Sequence, residues 1–96
     1  MKVVYTERAI TDLETIDSYL RERSPSGARS VRAAFERTIS QISRFPFLGR
    51  DSDIGGLLEI AVVRHPYRIF YEVVDRELWI IHVRDARRKP WEGGGD

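Results

Sequence analysis

The chain has no cysteine, which excludes a disulfide framework, a thiolate metal site and a cysteine nucleophile together. It also lacks a long apolar run, and crossing a membrane as a helix takes about 20 apolar residues. The opening MKVVYTERA lacks the apolar stretch of about 7–15 residues that marks a secretory signal. The expected compartment is therefore the cytoplasm, with no membrane partner. There is no internal repeat, and the only low-complexity stretch is Gly93-Gly94-Gly95-Asp96. The expected organisation is one domain over residues 1–92 and a flexible tail over 93–96. Lysine is scarce, with 2 in 96 residues. Arginine carries nearly all the positive charge, and its planar fork suits phosphates and carboxylates; codon bias explains such a ratio equally well.

The net charge of +1 points to no partner, but its distribution is uneven. From His82 to Trp91 the basic residues Arg84, Arg87, Arg88 and Lys89 face a single acid, Asp85. Such a cluster fits an acidic or anionic partner, or a solvated terminus. Trp91 at its end is expected either to fold back on the domain or to anchor that partner.

Lys2 to Tyr5 is short and β-branched and reads as a strand. Thr6 is a candidate helix cap. Ala9, Ile10, Leu13, Ile16 and Leu20 follow at helical spacing, with Asp12, Glu14 and Asp17 expected on the solvent face. Ser24-Pro25 restarts the chain as cap and first helical residue, and Ala28, Val31, Phe35, Ile39 and Ile42 form a second stripe. The short connection predicts an antiparallel helical hairpin. Phe45-Pro46 ends it, Phe47 to Gly56 reads as a loop, and Leu57 to Arg64 as a strand. His65-Pro66 is a turn, followed by strands over Tyr67 to Val74 and Leu78 to Arg84.

The predicted fold is α+β in the order β-α-α-β-β-β, with the first strand and the helical hairpin on one face of a small, mostly antiparallel sheet. Alternation predicts that Trp79, Ile81 and Val83 face the helices, while Arg68, Phe70, His82 and Arg84 share the open face. A buried Trp79 would then be a core residue.

The segment Val63-Arg64-His65-Pro66-Tyr67-Arg68-Ile69-Phe70-Tyr71-Glu72-Val73 resembles the strand pair of RelE/ParE-family toxins of bacterial type II toxin–antitoxin modules. Ile81-His82-Val83-Arg84-Asp85-Ala86-Arg87-Arg88-Lys89-Pro90-Trp91 is similar to that family's last strand and basic tail. Val3-Val4-Tyr5-Thr6-Glu7-Arg8-Ala9 resembles its opening, and Phe45-Pro46-Phe47-Leu48-Gly49-Arg50 its junction after the helices.

The resemblance implies a toxin of a plasmid-stabilisation type, neutralised by a cognate antitoxin whose C-terminal segment wraps it, commonly as a heterotetramer. It implies no cofactor and no metal. The family divides in two. ParE-like members inhibit DNA gyrase without known nuclease chemistry, whereas RelE-like members cut messenger RNA on the ribosome. A third reading is an inactive relative that only binds its antitoxin. The tail is closer to the ParE-like branch, which implies Arg68, Phe70, Arg84, Arg87, Arg88, Lys89 and Trp91 as contacts to target or antitoxin. A nuclease would use Arg64, Arg68 and Arg84 on the phosphate and His82 as the proton carrier. No tyrosine follows Tyr71 to assist it, and a strand histidine is ordinarily structural.

Overall fold

A computed structural model of the chain describes residues 1–87. Its elements are strand β1 (Lys2–Tyr5), helix α1 (Glu7–Arg23), helix α2 (Pro25–Arg44), a 3-10 turn (Pro46–Leu48), and strands β2 (Arg50–Asp51), β3 (Leu58–Ala61), β4 (Tyr67–Val74) and β5 (Glu77–Asp85). The sheet order is β1-β5-β4-β3-β2, with β1 parallel to β5 and all other neighbours antiparallel. The helical hairpin covers one face, as the sequence predicts.

Both helices start at side-chain caps. Thr6 Oγ1 accepts from the Ala9 amide at 3.1 Å and donates to the Ile81 carbonyl at 2.8 Å, so one hydroxyl caps α1 and ties it to β5. Ser24 closes α1 through its own amide to the Leu20 carbonyl and opens α2 by accepting from the Gly27 amide. Ala34, Phe35, Ile39 and Ile42 of α2 meet Ile69, Tyr71, Leu78 and Ile80 of the sheet in the core. Within α1 only Ala9 is fully buried; Leu13, Ile16 and Leu20 are partly covered, and Ile10 is exposed.

The predicted parity of the last strand is corrected. Phe70 pairs with His82, but Tyr71 pairs with Ile80, so Ile81 is an extra residue in β5. A one-residue bulge reverses which face each later side chain takes. Leu78 and Ile80 therefore face the helices with no exposure at all, and Val83 joins them beyond the bulge. Trp79 is only partly buried and lies across from Glu72 on the open face, so it is not a core residue. His82 and Arg84 do reach the open face.

Two further departures concern loops. β3 stops at Ala61 because residues 62–66 turn, with Arg64 at φ 69°. The segment expected to be loop contains the 3-10 turn and β2. Its anchor is Tyr71, whose hydroxyl accepts from the Gly49 amide at 2.9 Å and donates to the Pro46 carbonyl at 2.7 Å. Gly49 has ordinary extended backbone angles, so its need is spatial: a Cβ there would collide with the Tyr71 hydroxyl and sit 2.7 Å from the Glu59 carbonyl. Gly49→Ala should destabilise the domain by about 1–3 kcal/mol through overpacking. Tyr71→Phe should cost a similar ~1–3 kcal/mol by stranding the two backbone groups. Urea unfolding of both variants measures this, and an unchanged midpoint in both would show that the junction is not anchored here.

Candidate functional site

The face of the sheet away from the helices holds Glu59, Arg68, Phe70, Trp79, His82 and Arg84. Register decides who meets whom. Arg68 lies directly across from Arg84, Phe70 from His82, and Glu59 from Phe70. Two arginines placed opposite each other repel unless something offsets the charge. Glu59 does so for one of them. Its Oε1 accepts from Arg68 Nη1 at 3.0 Å and from Arg50 Nε and Nη2 at 3.1 and 3.0 Å. The Glu59 side chain is only 9% exposed, so this ionic cluster works at reduced dielectric.

Arg84 is held differently. Its guanidinium carbon stands 5.5 Å from the centre of the Phe70 ring, and the His82 ring stacks on the same phenyl at 5.5 Å. Phe70 is consequently 2% exposed. Within the chain, His82 and Arg84 cover Phe70, which the resemblance implies as a partner contact.

His82 is 3% exposed, and its Nδ1 lies 2.6 Å from Asp12 Oδ2 on α1. A carboxylate accepts, so Nδ1 carries the proton and donates it. The same oxygen accepts from the Val83 amide at 3.0 Å. Asp12 is thus not on the solvated helix face where periodicity puts it; α1 passes the edge of β5 and Asp12 leans in. Burial pushes its carboxyl up, but the His82 ring, the Val83 amide and the Arg8 guanidinium outweigh that and hold it below its ordinary value. An imidazole fixed by a carboxylate can orient for proton transfer when it faces substrate. This one is enclosed, and the geometry suits a structural tie.

The other expected residues are dispersed. Arg64 is exposed on the β3–β4 turn, outside the β4–β5 register that pairs Arg68 with Arg84. Arg87 is exposed but chelated by Asp85, with Nε and Nη2 at 3.0 and 2.7 Å from its two oxygens. Arg88, Lys89 and Trp91 lie outside the described residues. Among the described residues no cluster of three or more histidine, aspartate or glutamate side chains could hold a metal ion, and no helix is long and apolar enough to cross a membrane. Sequence reasoning missed Asp12 and Glu59. Glu59 left a signal, being a lone acid between Leu58 and Ile60 in a strand whose neighbour carries Arg68. Asp12 left none in its own helix.

The family model of the ParE toxin of type II toxin–antitoxin systems, parDE, matches residues 3–90. The chain belongs to this family. Toxin RelE2 of Caulobacter vibrioides is 33% identical to it over 87 residues, spanning 91% of this chain and 97% of that protein. Among solved structures, the chromosomal ParDE system from P. aeruginosa superposes with a TM-score of 0.77 at 19% identity, covering 88% of this chain and 95% of the other. The intact E. coli RelBE toxin–antitoxin complex superposes at 0.62 and 19% identity, covering 91% and 98%. This ParE-family chain is therefore a type II toxin whose open face carries one half-buried ionic cluster and one enclosed histidine.

Asp12→Ala removes the acceptor of two buried donors and should cost about 2–4 kcal/mol at neutral pH. Because the folded carboxyl titrates below its unfolded value of ~3.9, its contribution is complete above that pH and is lost as pH falls through the folded value. The gap between wild type and variant in urea unfolding should accordingly narrow in acid. A gap that is absent at neutral pH would remove Asp12 from the tie.

Proposed function

We propose that this toxin arrests growth by holding an essential target, DNA gyrase, rather than by cutting RNA. The observation that carries the reading is the enclosure of His82, the one candidate proton carrier among the expected site residues. Its Nδ1 is committed to Asp12 and its ring is packed on Phe70. Cleavage through a 2′-hydroxyl needs a base, an acid and cations converging on one phosphate. Here Arg64 lies on a turn outside the strand ladder and Glu59 already takes Arg68. A gripping surface needs only rigid display. The contacts are Arg68, Arg84 and Trp79 on the open face, with the basic tail from Arg87 to Trp91.

The antitoxin we infer is a separate chain whose C-terminal segment lies in the groove between α1 and α2 and reaches the sheet. The groove, of about 260 Å³, is lined by Leu13, Ile16, Leu20, Val31 and Ile39 with Tyr5 at its end. Val31 and Ile39 form its buried base, while Leu13, Ile16, Leu20 and Tyr5 are partly uncovered apolar surface of the kind that a partner buries. Solved neighbours of this fold are toxin–antitoxin complexes, which supports the same for this chain.

One observation favours the rival, a ribosome-dependent endonuclease: Arg68 and Arg84 are direct cross-strand partners on an open face, a spacing that suits a phosphodiester. The two readings part in a pair of assays. Purified toxin should inhibit gyrase supercoiling and leave ribosome-bound messenger RNA intact. Arg84→Ala should weaken that inhibition about tenfold or more, as loss of a central interface arginine does, in protein that still unfolds cooperatively. Cleavage of message with gyrase unaffected would overturn the gyrase reading.

A further inference from the structure

A cleft of about 670 Å³ separates α2 from the β3–β4 turn. Its floor is the small side chains Ala33 and Ala34 of α2, and around it stand Arg37, Gln41, Arg64 and His65. Among the described residues no carboxylate lines it.

Several other arginines are paired with a carboxylate: Arg8 with Asp12, Arg21 and Arg32 with Asp17, Arg50 and Arg68 with Glu59, and Arg87 with Asp85. Arg37 and Arg64 have no ion pair among the described residues, yet both border one concavity. Two like charges sharing a cleft repel each other, and a bound anion is what turns that arrangement favourable.

The cleft is also prearranged. Gln41 lies one helical turn beyond Arg37, so both project from the same side of α2. The turn carrying Arg64 and His65 is pinned by the Val62 amide to the Tyr67 carbonyl, the His65 amide to the Val62 carbonyl, and the Ala86 amide to the Pro66 carbonyl. Arg64 adopts a left-handed φ of 69°, where a glycine would be less strained. The chain thus places a long cation where local conformation favours no side chain at all.

We propose that this cleft is a phosphate-binding site, with the Arg37 and Arg64 forks gripping phosphoryl oxygens and Gln41 and His65 donating beside them. Guanidinium forks match phosphate geometry, and the cleft falls within the ~300–1,000 Å³ range of small-ligand sites. The phosphoryl group would belong to a nucleotide or to a polynucleotide backbone. The inference goes beyond the gyrase reading and shares no residue with the open face.

The test uses the full chain and sodium pyrophosphate, added at constant ionic strength so that screening does not change. Amide resonances of Arg37, Arg64 and His65 should shift and saturate. The double variant Arg37→Gln/Arg64→Gln should weaken binding about tenfold or more, the equivalent of losing one charge-assisted bond. Arg23→Gln/Arg76→Gln, equal in charge change and remote from the cleft, should bind as wild type does. Shifts that never saturate, or equal weakening in both double variants, would overturn the proposal. ADP and a short DNA duplex are then compared with pyrophosphate. Tighter binding of ADP assigns the site to nucleotides, tighter binding of the duplex assigns it to a polynucleotide backbone, and failure of both to reach the three amides counts against the site.

Discussion

A single carboxylate oxygen, Asp12 Oδ2, joins the helical layer to the last strand, and the open face depends on that joint. β1 pairs with β5 only from Glu77 to Ile80. Beyond that point β5 would be a bare edge with unsatisfied backbone groups. Helix α1 supplies the missing partner with side chains. Thr6 donates to the Ile81 carbonyl, and Asp12 accepts from the Val83 amide. Because the same oxygen accepts from His82, the imidazole is drawn to the edge and its ring is left flat against Phe70. The edge is closed and the histidine is consumed by one interaction.

The bulge at Ile81 sits between the strand-paired and the helix-paired halves of β5. With one extra residue there, Leu78, Ile80 and Val83 can all face the core although they do not share parity. The bulge also brings His82 and Arg84 to the same face as Arg68. This explains what was legible in the sequence and what was not. Helical stripes, Thr6 and Ser24 as caps, the hairpin and the strand order follow from local spacing, and the structure agrees. Alternation alone treats β5 as regular. The run from Leu78 to Arg84 is apolar on both sides, so alternation does not locate the inserted residue and assigns Trp79 to the core that Leu78 and Ile80 occupy.

Site residues were legible as types more than as partners. Arg68, His82 and Arg84 do gather on one face, as alternation predicts, but their chemistry is set by acids that alternation does not single out. Glu59 comes from the adjacent strand, nine residues before Arg68 in sequence, and Asp12 from a helix 70 residues before His82. Long-range ionic contacts of this kind leave no periodic trace. A basic face read from the sequence therefore becomes, in three dimensions, a face whose charges are largely spoken for.

That difference bears on what the fold can do. A nuclease gains from cations that stay available until charge develops on the phosphate, since only interactions stronger in the transition state accelerate the step. Arg68 tied to Glu59 and Arg84 laid over Phe70 are instead fixed in the resting state. Fixed side chains lose less entropy when a partner arrives, which favours gripping. Arg37 and Arg64, without an ion pair among the described residues, border a separate concavity beside α2. The same sheet and helix pair thus keep apart two kinds of surface. One is an ordered face where Glu59 holds Arg68 and Arg84 lies over Phe70, and the other is a cleft bordered by Arg37 and Arg64.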